Sequence, residues 1–235
     1  MNDAAIRLEA GLQQLGFENA DALAKALLEF AELLLAANRR TNLVGAKSAD
    51  ELMVKHFLDS LAPLADVALR EPIVDVGSGA GLPGIPAALA WPQYSFALLE
   101  PRAKRAEFLK EAVAALRLRN VEIVQASAES AAHGASRGRF GTALVRALAT
   151  PERALALALP LLRRGGSLVL YQGRASQPSP HIDDVIHRLG GRLERARPVA
   201  VPHLDAVRHV WIVEKTRTAS LSDRQPRGIR HKRRA

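Results

Sequence analysis

Apolar positions in the first 70 residues recur every three or four places, the spacing of one buried helical face. Ile6, Leu8, Leu12 and Leu15 make a short stripe that Gly16 ends. Leu23, Leu27, Phe30, Leu34 and Ala37 predict a longer helix, stopping near Asn38 before the polar run Arg39-Arg40-Thr41-Asn42. Ser48, with Glu51 three residues later, is a capping-box pattern and opens a third helix. His56, Asp59 and Ser60 fall at its end or just beyond it.

From Pro72 the texture changes to short apolar runs separated by helical segments. Residues 73–76, 94–99, 121–124, 140–145 and 167–171 read as strands. Segments 83–91, 102–118 and 151–162 read as the helices between them. After a further helix near 183–189, strands at 193–201 and 207–214 are separated only by 202–206, which predicts a hairpin. Alternating strands and helices imply a parallel sheet covered on both faces, and a closing antiparallel hairpin makes it mixed. The expectation is an α/β fold with a doubly wound, mostly parallel seven-stranded sheet over 71–215. A helical extension, 1–70, precedes it, and a basic, flexible tail, 216–235, follows. No internal repeat is visible, and 134–138 and 177–180 read as loops.

Composition narrows the chemistry. With 235 residues, 48% of them hydrophobic, the chain can bury an ordinary core. It has no cysteine, which excludes disulfides, thiolate metal sites and thiol nucleophiles. Its seven histidines show no zinc-ligand spacing. No apolar run approaches the roughly 18 residues of a membrane span, and the N-terminus has no signal pattern. A soluble cytoplasmic protein without metal is expected. The net charge is +9, and residues 215–235 hold eight Lys and Arg against Asp223 alone. So concentrated a tail suits a polyanion, since each phosphate neutralised adds about 0.7–0.9 to the salt slope of binding.

The most informative stretch is Asp75-Val76-Gly77-Ser78-Gly79-Ala80-Gly81-Leu82-Pro83-Gly84, between a predicted strand and a predicted helix. Glycines let the backbone turn sharply and approach a ligand without a Cβ in the way. The next strand ends at Glu100, a carboxylate able to accept from two ribose hydroxyls. A backbone cradle beside a ribose clamp indicates an adenosine-bearing ligand. Gly79-Ala80-Gly81-Leu82-Pro83-Gly84 also fits the dinucleotide fingerprint, so NAD stays open. Against NAD, Asp75 would repel a pyrophosphate but meet the cationic amino group of S-adenosylmethionine. The additional Gly77-Ser78-Gly79 moves the tight turn closer to the strand than that fingerprint expects. Ala128-Glu129 follows the third strand, where an adenine would lie, and Arg146 ends the fourth. Taken alone, each of these also suits a structural role.

Asn42-Leu43-Val44, His56-Phe57-Leu58-Asp59-Ser60, the glycine block through Pro86 and Arg146-Ala147-Leu148 occur in an order that resembles the RsmG, or GidB, family. These are bacterial guanine-N7 methyltransferases of small-subunit rRNA, and the likeness spans roughly residues 20 to 215. The Leu82-Pro83-Gly84-Ile85 ending sets the block apart from generic methyltransferase glycine loops. The resemblance implies a Rossmann-like class I fold that binds S-adenosylmethionine. It implies cofactor contacts from Gly77, Leu82, Ala128, Glu129 and Arg146, with Asp75, Gly79 and Glu100 beside them. Asn42, His56, Asp59, Arg119 and Arg139 would surround the RNA entrance. It further implies a target guanine in the 530 loop of 16S rRNA, within the small ribosomal subunit or its precursor, and a monomeric enzyme.

The chain departs from the family pattern in places. Phe140-Gly141 stands for Phe-Asp, Val145-Arg146-Ala147 for Ser-Arg-Ala and Gln172-Gly173 for Lys-Gly. Pro226-Arg227-Gly228-Ile229-Arg230 lacks a second proline. These changes bear on substrate contacts more than on the cofactor. Guanine N7 carries a lone pair and no proton to lose, so alignment and desolvation suffice without a base. That agrees with a sequence lacking a triad or a nucleophile elbow. A methyltransferase of small molecules, an NAD-dependent oxidoreductase and an RNA-binding module with a vestigial pocket are the competing readings.

Overall fold

In the computed structural model, which describes residues 3–46, 48–148, 150–173 and 177–218, strand and helix alternate from Ile73 onward. The strands are β1 Ile73–Val76, β2 Phe96–Leu99, β3 Val121–Val124, β4 Phe140–Val145, β5 Leu162–Gln172, β6 Gly191–Val199 and β7 Arg208–Lys215. They form a seven-stranded sheet in the order β3-β2-β1-β4-β5-β7-β6. β3, β2, β1, β4 and β5 are mutually parallel, and β7 runs antiparallel to both β5 and β6. The order reverses between β1 and β4, which opens a crevice at the carboxyl ends of the strands.

Strand alternation sorts the side chains into two cores. Ile73, Phe96, Leu98, Leu144, Val169 and Val210 join one cluster; Val74, Val76, Ala97, Leu99, Ala143, Val145, Leu168, Leu170 and Trp211 join the other. The first is covered by α1 Asp3–Gln14, α2 Ala20–Thr41, α5 Gly84–Ala90 and α6 Ala103–Ala115. The second is covered by α7 Ala128–His133, α8 Pro151–Ala158 and α9 Pro180–Arg188. The N-terminal helices thus share a core with the sheet. Leu27 and Leu34 of α2 are fully buried, each such side chain contributing about 1.5–3 kcal/mol. Phe30 stacks on Phe57 with ring centroids 5.5 Å apart, pinning α2 to the segment that carries His56.

That segment differs from the single third helix expected. Ser48 Oγ does accept from the Glu51 amide at 3.2 Å, yet α3 Ala49–Leu52 widens at once into a π-helical turn, Met53–Leu58, before α4 Asp59–Leu61. Apolar periodicity does not separate π from α over six residues. Elsewhere α2 runs on to Thr41, and the helix expected over 151–162 ends at Ala158, followed by a 3-10 turn, Leu159–Leu161. β5 starts at Leu162, five residues before the predicted strand, because Arg163 to Gly166 carry no apolar alternation. The tail expected over 216–235 lies outside the described residues beyond Thr218.

Candidate functional site

Where β1 ends, the backbone reverses through Gly77, Gly79 and Gly81, with φ of 75°, 55° and 83°, a region side chains disfavour. The amides of Gly77 and Ser78 both donate to the Leu99 carbonyl, at 2.8 and 3.1 Å, carrying the β1–β2 pairing into the turn. Glu100, 3% exposed, locks this arrangement: Oε2 accepts from the Gly79 amide and Oε1 from the Arg102 amide, both at 2.9 Å. An ionised carboxylate has about four acceptor positions, so two remain for a ligand.

Beside this turn lies a crevice of about 640 Å³. Val76 and Gly77 form one wall, Glu100 and Arg102 another, and Ala147 and Leu148 after β4 face them. The remaining side comes from α7, whose N-cap Ser127 accepts from the Ser130 amide at 3.1 Å. That cap sets Ala128 into the wall as a buried residue and leaves Glu129 on the rim, where it pairs with Arg153 at 3.2 Å. The cavity therefore has an apolar side, a buried carboxylate and a rim of mixed charge.

Asp75 lies elsewhere, which corrects the expectation that it meets a cationic group in the crevice. It shares its sheet face with Ile73, so its carboxylate lies beneath the first turn of α5, accepting from the Gly84 amide at 3.0 Å. At 1% exposure, burial pushes its pKa up to about 7, against the opposing effects of hydrogen bonds from Gly84 and Ser78 and the Arg146 charge. The charge argument against a dinucleotide consequently loses its residue.

Arg146 is also turned away from the crevice, because Leu144 and Arg146 share the face that α4 covers. Its Nη1 donates to Ser60 Oγ at 2.8 Å and to the His56 carbonyl at 3.3 Å; Nη2 reaches the Lys55 carbonyl at 3.1 Å. Nη2 also pairs with Asp59 at 2.8 Å, and Arg208 at the start of β7 pairs with the other oxygen of Asp59 at 2.7 Å. Tyr171 completes the group, donating to the Ser60 carbonyl at 2.6 Å. Burial holds its phenol well above the usual range, so it remains a donor. His56 is half-buried, and burial together with the Arg146 charge lowers its pKa, leaving a neutral imidazole at pH 7.

Of the expected cofactor residues, Gly77, Glu100, Ala128 and Glu129 line the crevice. Gly79 braces it through Glu100, while Leu82 is partly buried and packs against the first core cluster. On the RNA side, His56 and Asp59 come together at Arg146. Asn42 caps α2 in the left-handed conformation, φ 46°, and is exposed. Arg119 and Arg139 are not gathered there: Arg119 lies two residues before β3 and Arg139 directly before β4, so both stand at the end of the sheet opposite the crevice. Arg139 pairs with Glu122 at 3.4 Å, and Arg119 borders a shallow basic groove with Lys110 and Arg117.

The sequence pattern of GidB, rRNA small subunit methyltransferase G, matches residues 23–185. The chain belongs to that family. A ribosomal RNA small subunit methyltransferase G of Alkaliphilus metalliredigens is 33% identical over 212 residues, covering 88% of this chain and 89% of the relative. One of Xanthomonas axonopodis pv. citri is 35% identical over 221 residues, 92% and 100% of the two chains. Among solved structures, a 16S rRNA (adenine(1408)-N(1))-methyltransferase of Catenulisporales acidiphilia, crystallised with SAM, is 18% identical. It superposes with a TM-score of 0.50 over 63% of this chain and 86% of its own, which supports the fold.

Family membership makes the crevice, the place where this fold binds its ligand, the site to interpret. The sequence reading had missed Arg102, Arg105, Ala147, Leu148, Arg153 and Leu157 in its walls. Ala147-Leu148 had a signal, since they follow Arg146 where β4 leaves the sheet. Arg153 and Leu157 had none, because α8 reaches the rim only through tertiary packing. Among the described residues, no group of three or more His, Asp or Glu could hold a metal, and no helix is long and apolar enough to cross a membrane.

Proposed function

We propose that the protein transfers the methyl group of S-adenosylmethionine to N7 of a guanine in the 530 loop of 16S rRNA. The observation that carries this is Glu100, buried in a wall of the crevice with its two oxygens already fixed by backbone amides. A carboxylate held this rigidly accepts from vicinal ribose hydroxyls without further ordering. Gly77 lets a ligand approach the turn, while Ala128 and Glu129 border the adenine end. Leu148 and Leu157 supply apolar wall that excludes water.

When bound, S-adenosylmethionine supplies a methyl already activated by its sulfonium. The protein's residues then have to hold the donor and the base in line. No side chain has to remove a proton from N7. Two features support RNA over a small molecule: family membership, and a C-terminal sequence rich in Lys and Arg. The working form we envisage is a cytoplasmic monomer acting on the small ribosomal subunit or its precursor.

The test is to incubate the protein and labelled S-adenosylmethionine with undermethylated small subunits and map the product. Label on N7 of a single guanine in the 530 loop is expected. Label elsewhere, or none, overturns the proposal.

A further inference from the structure

Four polar side chains stand on one face of the sheet at the end where the crevice opens: Asp75 on β1, Arg146 just past β4, Tyr171 on β5 and Arg208 on β7. Alternation places them there, since each shares a face with a residue of the same core: Ile73, Leu144, Val169 and Val210. Because β7 is antiparallel to β5, its first residue, Arg208, reaches the end that β1, β4 and β5 reach with their last. The π-helical turn and α4 cover most of this row, and their buried Asp59, 6% exposed, sits between the two arginines.

The two guanidinium groups are used very differently. Arg146 is only 14% exposed at its side chain and donates from both Nη atoms to Asp59, Ser60 and two carbonyls. Arg208 is 32% exposed at its side chain, and Nε alone is committed, to Asp59 Oδ1 at 2.7 Å. Among the described residues its two Nη groups donate to nothing in the protein. Asp59 divides its two oxygens between the two guanidiniums, and the donors left free belong to Arg208. The buried Asp59 fixes the Arg208 fork, removing much of the entropy that a flexible surface arginine loses on binding.

We infer that Arg208 is an RNA-binding residue that grips a backbone phosphate of the substrate strand, held in position by Asp59. A guanidinium with free, preoriented N–H groups at a partly exposed edge suits a phosphate oxygen, to which it donates charge-assisted hydrogen bonds. The target base itself is a poorer partner. Methylation at N7 places positive charge on the purine, and a cation beside it would oppose that charge. A phosphate next to the target nucleotide meets no such conflict.

The inference rests on the RNA-methylating reading of the crevice, and binding measurements keep the two separable. Arg208→Gln removes the charge while retaining a donor for Asp59. Its affinity for undermethylated small subunits is expected to fall about tenfold, and its salt slope by about 0.7–0.9, one phosphate contact. Affinity for S-adenosylhomocysteine should stay at the wild-type value, and Arg208→Lys should return the slope toward wild type. An unchanged slope, a Lys variant as flat as the Gln variant, or a parallel loss of S-adenosylhomocysteine affinity would overturn the assignment. Wild-type protein that binds subunits but deposits no methyl would count against the catalytic reading alone, since the slope comparison needs no turnover.

Discussion

Gly77→Val is expected to abolish cofactor binding, with affinity for S-adenosylhomocysteine falling more than about a hundredfold by calorimetry. Two causes act together. Gly77 has φ 75°, which a β-branched residue adopts only with strain. A Cβ there would also lie 2.4 Å from Leu148 Cδ1, with Leu148 itself a wall of the crevice. The valine therefore either straightens the turn, which moves the Gly79 amide off Glu100, or drives Leu148 into the ligand's volume. Retention of wild-type affinity would show that this turn is not part of the cofactor site.

Asp59→Ala is the second large effect, and it acts on stability. Its carboxylate holds two guanidiniums, with side-chain exposures of 8% for Asp59, 14% for Arg146 and 32% for Arg208. Removing one partner from a buried pair typically costs about 3–5 kcal/mol, because the remaining charge stays desolvated. Arg146 keeps its carbonyl and hydroxyl partners, which places the change toward the lower end of that range. For a chain of this size the melting temperature should drop by roughly 10 °C. A change below about 1 kcal/mol in chemical denaturation would mean that the cluster is solvated and that Arg208 is not rigidly held.

Much of the fold was legible because β1 to β4 are short, largely apolar runs bounded by glycine, proline or polar residues. β3 and β4 match their predicted bounds, 121–124 and 140–145. What stayed hidden has identifiable causes. The six residues of α7 are mostly alanine and polar, so they carry no stripe to detect. The π-helical turn differs from an α-helix in hydrogen-bond register, not in apolar spacing.

The site divides in the same way. Gly77 and Glu100 could be placed because a glycine turn after one strand and an acid after the next are local signals. Asp75 was assigned to the ligand by its charge and Arg146 by the family resemblance, but alternation turns both toward the helical layer. Arg119 and Arg139 were placed at the RNA entrance, yet each precedes a parallel strand and so stands at the other end of the sheet. Arg208 went unnoticed because its meaning comes from Asp59, 149 residues away in sequence.

The most direct measurement is a crystal structure of the protein soaked in S-adenosylhomocysteine. The account predicts the ligand in the crevice between β1 and β4, both ribose hydroxyls within hydrogen-bond distance of the Glu100 carboxylate and the adenine beside Ala128. A ligand bound elsewhere, or a ribose that leaves Glu100 untouched, would contradict it.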